Sequence, residues 1–425
     1  MNDIVKSFLR KNRLLSVIIV FCFLLLILSF FFLKHWQKES ILPEKLLSCF
    51  TSSNEKYSLG SADAPCLERV VKELMAAYSL DDLLKYITAS STPAGAHIYA
   101  HTIAHFGRKQ IFLESESVET ALDSCIALRW YGAGCIHGVI GAAMAKELGI
   151  SPAEADEIVH TDPAALERIA KEYCASDSFQ RCHAVGHIIF EGYRDYTKIP
   201  ESCDSVTKQA VKREACARGA FMEAAGSVGA LFATERQPVS EPKYRSLCKQ
   251  VPSPYQHACF WYLPWFQNTL FERDDVNSAP ERLAFSKGFC GELEGPPRAD
   301  CIESIGLNAR GIFRDADHPD RKYFCDQFDV GADKQACTLG VIGSFLNGFD
   351  FNGGVNYCHT TTDSKLQNFC YNALFQIAEE NSKDSAMRVV CDEKSTPKEC
   401  GQKLKDYLAS KGTLPNYVFG LYGDR

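Results

Sequence analysis

The chain has 425 residues, of which 46% are hydrophobic and 11% aromatic, and its formal net charge is -7. This composition predicts a packed protein of one large or two to three ordinary domains, and excludes a disordered chain. The first 40 residues are basic, so the remainder is more acidic than the whole. Such a body lacks the positive surface that nucleic-acid binding needs, and we expect no nucleic-acid partner.

The N-terminus predicts a membrane anchor. Residues 1–13 form a basic tail, and residues 14–33 contain no charged side chain. An apolar helix of this length spans about 30 Å, the thickness of the bilayer core, and its basic flank stays in the cytoplasm. We therefore expect a single-pass signal anchor in the cell membrane, a linker at 34–60 and an extracytoplasmic remainder. A long signal peptide that is cleaved further along the chain is the alternative.

The cysteine count favours the same topology. The chain has 19 cysteines, and Cys22 lies in the predicted anchor, which leaves an even number of 18 beyond it. An even, high number of cysteines is typical of proteins that form disulfides in an oxidising compartment.

The cysteines beyond the anchor fall into consecutive pairs, with sequence separations of 8 to 17 between partners. From Cys125 onward the first cysteine of a pair recurs every 29 to 49 residues, a period typical of α-helical repeats. This alternation predicts local disulfides in the following pairs: Cys49/Cys66, Cys125/Cys135, Cys174/Cys182, Cys203/Cys216, Cys248/Cys259, Cys290/Cys301, Cys325/Cys337, Cys358/Cys370 and Cys391/Cys400.

Helix signals surround these pairs. Capping-box sequences such as "SLDD" at 79–82 predict helix starts, and patterns of alternating apolar residues are scarce. The predicted unit is helix, cysteine, short loop, cysteine, helix, and the predicted fold class is all-α. The pattern resembles cysteine-rich tetratricopeptide-like repeat proteins, which implies disulfide-stapled helical hairpins, although the W-x2-L-G-x2-Y signature is absent. We divide the ectodomain into a His-rich helical region at 61–195 and Cys-paired repeats at 196–425.

The histidines are distributed differently from the cysteines. Seven of the 11 histidines lie between positions 97 and 187. A residue that serves the repeat itself should recur in every unit, and these do not. Their clustering therefore indicates a local need for imidazole.

The spacing of the histidines predicts a metal site. His101 and His105, like His183 and His187, are four residues apart, so each pair lies on one helix face and can chelate an ion. His137 begins a helix after a second cysteine, and Glu191 follows His187 by one turn. Imidazole and carboxylate ligands suit Zn, Cu or Fe. The predicted ligands are His101, His105, His137, His183, His187 and Glu191.

Other interpretations of the histidines stay open. They can be neutral core residues with hydrogen bonds, members of two separate sites, or a cluster that becomes charged at low pH. No H-E-x-x-H motif or nucleophile elbow occurs, so the sequence names no reaction and leaves enzyme activity undecided.

The alternative function is an envelope scaffold that binds a protein or peptide partner on its helical surfaces. The stretch "YQHACFWYLPWF" at 255–266 offers an aromatic surface for such a partner, although core packing explains it better. In this alternative the histidines are structural, and side chains such as Trp261 and Trp265 determine binding.

Overall fold

The described part of the chain is α-helical. The computed structural model describes residues 64–84, 103–104, 106–107, 111–112, 115, 117–127, 132–150, 162–175, 179–225, 241–266, 279–307, 324–328, 331–347, 351–382, 391 and 397–410. These residues form α-helices, short 3-10 turns and connections, with no strand among them. The predicted all-α class is confirmed for this part of the protein.

The helices of the first half begin with α1, which contains Cys66. They are α1 (Ala64–Met75), α2 (Val118–Ala127), α3 (Gly132–Glu147), α4 (Pro163–Cys174), α5 (Phe179–Tyr193), α6 (Ile199–Val206) and α7 (Ala210–Ala225). Those of the second half are α8 (Glu241–Gln250), α9 (Ser253–Trp261), α10 (Ala279–Gly291), α11 (Gly295–Leu307), α12 (Gly331–Asn347), α13 (Phe351–Thr360), α14 (Ser364–Ser382) and α15 (Cys400–Ser410).

Local sequence explains where individual helices begin. At α4 the side chain of Asp162 accepts a hydrogen bond from the Ala164 N–H, and Pro163 occupies a first-turn position that needs no N–H donor. The capping box predicted at Ser79 is present, since the Asp82 N–H donates to Ser79 Oγ at 3.1 Å. Along α4, the buried residues recur at helical spacing and pack one face of the helix into the core: Leu166, Ile169, Ala170 and Cys174.

Disulfides close successive helical hairpins, which we number 1 to 8 in chain order. The described residues form them in the predicted partnership: Cys125–Cys135, Cys174–Cys182, Cys203–Cys216, Cys248–Cys259, Cys290–Cys301, Cys325–Cys337, Cys358–Cys370 and Cys391–Cys400. Cys66 is also disulfide-bonded, and its predicted partner Cys49 lies outside the described residues. In most hairpins the first cysteine lies at the end of one helix and the second near the start of the next.

The second helices of the hairpins form one row. In chain order α3, α5, α7, α9, α11, α12, α14 and α15 each contact the next. This neighbour-to-neighbour packing is the arrangement of an α-helical repeat protein. The row runs across position 195, where the sequence suggested a change from the His-rich region to the repeats, because α5 and α7 pack closely against each other.

Paired glycines allow the closest helix crossings. A side-chain carbon at Gly219 would overlap the carbonyl oxygen of His183, and one at Gly186 would overlap that of Cys216, so α5 and α7 touch through their backbones. Gly306 and Gly340 repeat the same arrangement between α11 and α12, against the carbonyl oxygens of Cys337 and Glu303. Hairpins 1–3 and hairpins 4–6 each contain one such crossing, between the second and third hairpin, and we call these two sets the three-hairpin units.

The predicted membrane anchor at 14–33 lies outside the described residues. None of the helices within the described ranges has the length and apolar character needed to cross a bilayer.

Candidate metal centre

Three histidines meet in the core of hairpins 1 and 2. His137 comes from α3, and His183 and His187 come from α5. Their exposed fractions are 3%, 1% and 1%, so all three imidazoles are shielded from solvent. Each of the three offers a ligand nitrogen within 4.8 Å of the others, and the described residues contain no second group of this kind.

The cysteine pattern explains why these side chains converge. His137 lies two residues after Cys135, and His183 lies one residue after Cys182, so both are near the start of the second helix of their hairpins. His187 is one turn further along α5 and shares its face with His183. Because α3 and α5 are neighbours in the row of second helices, the two helix starts bring the three rings together.

The distances within the group match those around one metal ion. The ring centres form a nearly equilateral triangle with sides of 5.1, 4.9 and 4.9 Å. The Nε2 atoms of His183 and His187 are 3.3 Å apart. Imidazole nitrogens bound tetrahedrally at zinc-like bond lengths would lie about 3.3 Å apart, with ring centres about 5 Å apart. The three imidazoles are therefore close enough together that they could hold one metal ion.

A carboxylate orients one of these rings. Glu223 of α7 is 4% exposed, and its Oε2 accepts a hydrogen bond of 2.8 Å from His187 Nδ1. This contact leaves His187 Nε2 directed at the other imidazoles, which is the usual arrangement when a carboxylate supports a metal-bound histidine. A buried carboxylate also offsets part of the charge that a divalent cation would bring into the core.

The remaining predicted ligands have different positions. Glu191 is also buried on α5, but it forms an ion pair with Arg194 at 3.5 Å and is not a member of the three-histidine group. His101 and His105 lie outside the described residues. Ile103 and Ala104, between them, are buried in the core. The roles of Glu191, His101 and His105 stay predictions.

The second three-hairpin unit carries other residues at the positions that correspond to the three histidines and Glu223. The paired glycines align α11 and α12 with α5 and α7, and the second cysteines align α9 with α3. At the four equivalent positions the second unit carries Trp261, Glu303, Leu307 and Ser344 in place of His137, His183, His187 and Glu223. The framework is duplicated, and the imidazoles occur in one copy only.

Sequence reasoning missed Glu223. It belongs to hairpin 3 and is distant along the chain from the histidines, so no local spacing links it to them. The sequence around Glu223 did carry a signal: in "AFMEAA" at 220–225 it is the one carboxylate among small and apolar residues of a helix. Such a residue is rarely buried without a charged or hydrogen-bonding partner.

The described aromatic side chains at 255–264 belong to the core. Tyr255, Phe260, Trp261 and Tyr262 are all buried, and Trp261 is 0% exposed. The expectation that Trp261 presents a binding surface is therefore wrong, because its ring is enclosed between hairpins 3 and 4. Trp265 has no described side chain, so that part of the scaffold alternative stays a prediction.

Comparisons with known proteins gave no relatives: no family model, no curated protein sequence and no solved structure matches this chain.

Proposed function

We propose that this protein binds one divalent transition-metal ion, Zn, Cu or Fe, on His137, His183 and His187. The observation that carries the proposal is the triangle of buried imidazoles, whose sides equal those expected around a single ion. Nitrogen ligands of this kind suit these three metals better than calcium or magnesium, which prefer oxygen.

The ion would complete its coordination with a further ligand. Glu191 and the predicted pair His101 and His105 are the candidates from the chain itself. A fourth protein ligand would close the site and make the ion structural, whereas a bound water would leave a position for chemistry. We place Glu223 outside the ligand set, as the residue that orients His187.

We propose further that the metal centre lies on the extracytoplasmic side of a membrane, behind the anchor at 14–33. Two features support this placement. The anchor sequence has the length and the basic flank of a signal anchor. The disulfides that close hairpins 1 to 8 form and persist in oxidising compartments.

Metal analysis tests the proposal directly. The full chain would be produced in a compartment that permits disulfide formation, purified without a histidine tag, and measured by elemental mass spectrometry. We expect one metal ion per chain in the parent and none in a folded His183→Gln/His187→Gln variant.

The matched control is His359→Gln. His359 also pairs with a glutamate, since its Nδ1 lies 2.6 Å from Glu399 Oε1, but it is half-exposed and distant along the chain from the metal centre. This variant should retain the metal. A parent that stays metal-free after incubation with Zn, Cu and Fe would refute the proposed function.

A further inference from the structure

A second cluster of buried polar groups joins the two three-hairpin units. Its centre is Arg218 of α7, which is 0% exposed. The guanidinium donates from Nε to Glu214 Oε1 at 2.7 Å and lies 4.8 Å from the ring centre of Trp261. A buried arginine is stable only where hydrogen bonds and opposite charges compensate its lost hydration, so these contacts determine how α7 meets α9.

His257 connects Arg218 to the next hairpin. Its Nδ1 is 2.5 Å from Asp300 Oδ1 on α11, and its Nε2 is hydrogen-bonded to Arg218 Nη2. An arginine can only donate hydrogen bonds, so Nε2 must accept and the ring proton must lie on Nδ1. The described arrangement is therefore that of a neutral His257, with Asp300 accepting from one side and Arg218 donating from the other.

A second partner for Nε2 is already in place. Glu214 Oε1 lies 3.4 Å from His257 Nε2, slightly beyond the present hydrogen bond. If the imidazole gains a proton, Nε2 becomes a donor and opposes the donor Nη2 of Arg218. The imidazolium can then donate to Asp300 and Glu214 at once. His257 is 36% exposed, so protons reach it from solvent.

We propose that His257 is a proton-operated switch, which binds Arg218 when neutral and exchanges it for Glu214 when charged. The charged groups that face it are Glu214 and Arg218 from α7 and Asp300 from α11. The titratable carboxyl of Glu303 on α11 interacts with Arg218 and Asp300. From α8, Tyr244 donates its hydroxyl to the backbone carbonyl of Cys259 on α9 and takes no part in the exchange.

Glu303 does not compete for the proton of His257. Burial raises the pKa of its carboxyl to about 8, against the opposing effect of Arg218, so it stays protonated in the range where histidines titrate. Because Arg218, His257 and Asp300 belong to hairpins 3, 4 and 5, the exchange would alter the junction of the two units.

The switch does not require the metal centre, and NMR on the full chain tests it. Side-chain nitrogen shifts of histidine report tautomer and charge. The Arg218 Nε–H, which donates to Glu214, reports the rearrangement when Nη2 loses His257 and Glu214 gains it. Between pH 7 and pH 5, where Glu303 holds its proton, we expect His257 to change from the Nδ1–H tautomer to the imidazolium. The Arg218 resonance should shift with the same midpoint.

Two variants separate the switch from general effects of pH. In His257→Gln the Arg218 shift should disappear, whereas in His359→Gln, which alters another half-exposed histidine–glutamate pair, it should persist. The proposal fails if the neutral form of His257 carries its proton on Nε2. It also fails if Arg218 shifts with a different midpoint, or still shifts in His257→Gln. The parent measurement decides the first two points even if a variant does not fold.

Discussion

Glu223 influences the metal centre through a single hydrogen bond, to Nδ1 of His187. Removing such a supporting carboxylate typically lowers metal affinity by about 10- to 100-fold, because the ring loses its orientation and some basicity. We therefore expect Glu223→Gln to bind metal more weakly by a factor in this range. Competition with a chromophoric chelator would measure it.

The comparison variant for Glu223 is Glu399→Gln, which breaks a similar histidine–glutamate pair at His359. Its metal affinity should equal that of the parent. An unchanged affinity in Glu223→Gln would show that His187 is oriented by other contacts.

Glu303 gives stability a pH dependence. Burial raises its pKa from 4.5 to about 8, so the folded protein holds a proton that the unfolded chain releases. The folded state is favoured fully below about pH 4.5, and this contribution is lost as pH rises through about 8. Glu303→Gln should therefore gain stability relative to the parent between pH 5 and pH 8, on the order of a few kcal/mol.

Urea unfolding of the parent and Glu303→Gln at pH 5 and pH 8 measures this difference. The quantity of interest is the change in the free energy of unfolding between the two pH values, compared across the two proteins. Equal changes in both would mean that Glu303 is already ionised in the folded protein at pH 5.

At the scale of helices, the paired glycines define the crossings. Alanine at Gly219 would press against the carbonyl oxygen of His183, and alanine at Gly340 against that of Glu303. Overpacking of this kind costs about 1–3 kcal/mol or more. Both variants should unfold at lower denaturant concentration than the parent. Only Gly219→Ala should also weaken metal binding, because it separates α7, with Glu223, from α5.

Gly288→Ala is the reference for these crossings. A side-chain carbon at this position in α10 meets no heavy atom within 4 Å, so the change should leave stability equal or slightly higher. A loss of stability in Gly288→Ala as large as in Gly340→Ala would attribute the effect to helix interiors in general and not to the crossings.

The sequence predicted the helices and the cysteine partners because both are local: a capping box or a cysteine pair involves residues close along the chain. It also placed His137, His183 and His187 correctly, since their positions after the second cysteines follow from that unit. Glu223 depends on how hairpin 3 packs on hairpin 2, and the buried Trp261 depends on hairpin 4 facing Arg218. Such contacts between hairpins leave no regular spacing in the sequence.

For the whole molecule, the disulfides differ in what they support. Loops of this size contribute roughly 2–3 kcal/mol each in the chain-entropy description. Replacing both cysteines of hairpin 2 or both of hairpin 7 by serine should destabilise the protein in either case. Metal affinity should fall only for hairpin 2, because Cys182 immediately precedes His183 and fixes the start of α5.

Thermal unfolding and metal titration of the two double variants distinguish these effects. Cys358→Ser/Cys370→Ser in hairpin 7 should melt earlier and still bind metal as the parent does. Loss of metal in this variant as well would mean that the metal centre depends on the integrity of the whole row of helices.

Each disulfide in the described residues begins and ends within one hairpin, with sequence separations of 8 to 13. Under mechanical load applied at its two ends, the oxidised chain would therefore lengthen only through the segments between bridges. The short loops closed by the disulfides would not extend under this load. A force-extension curve should reach a longer contour length in reductant than without it, and tension would separate neighbouring hairpins before it could open any one of them.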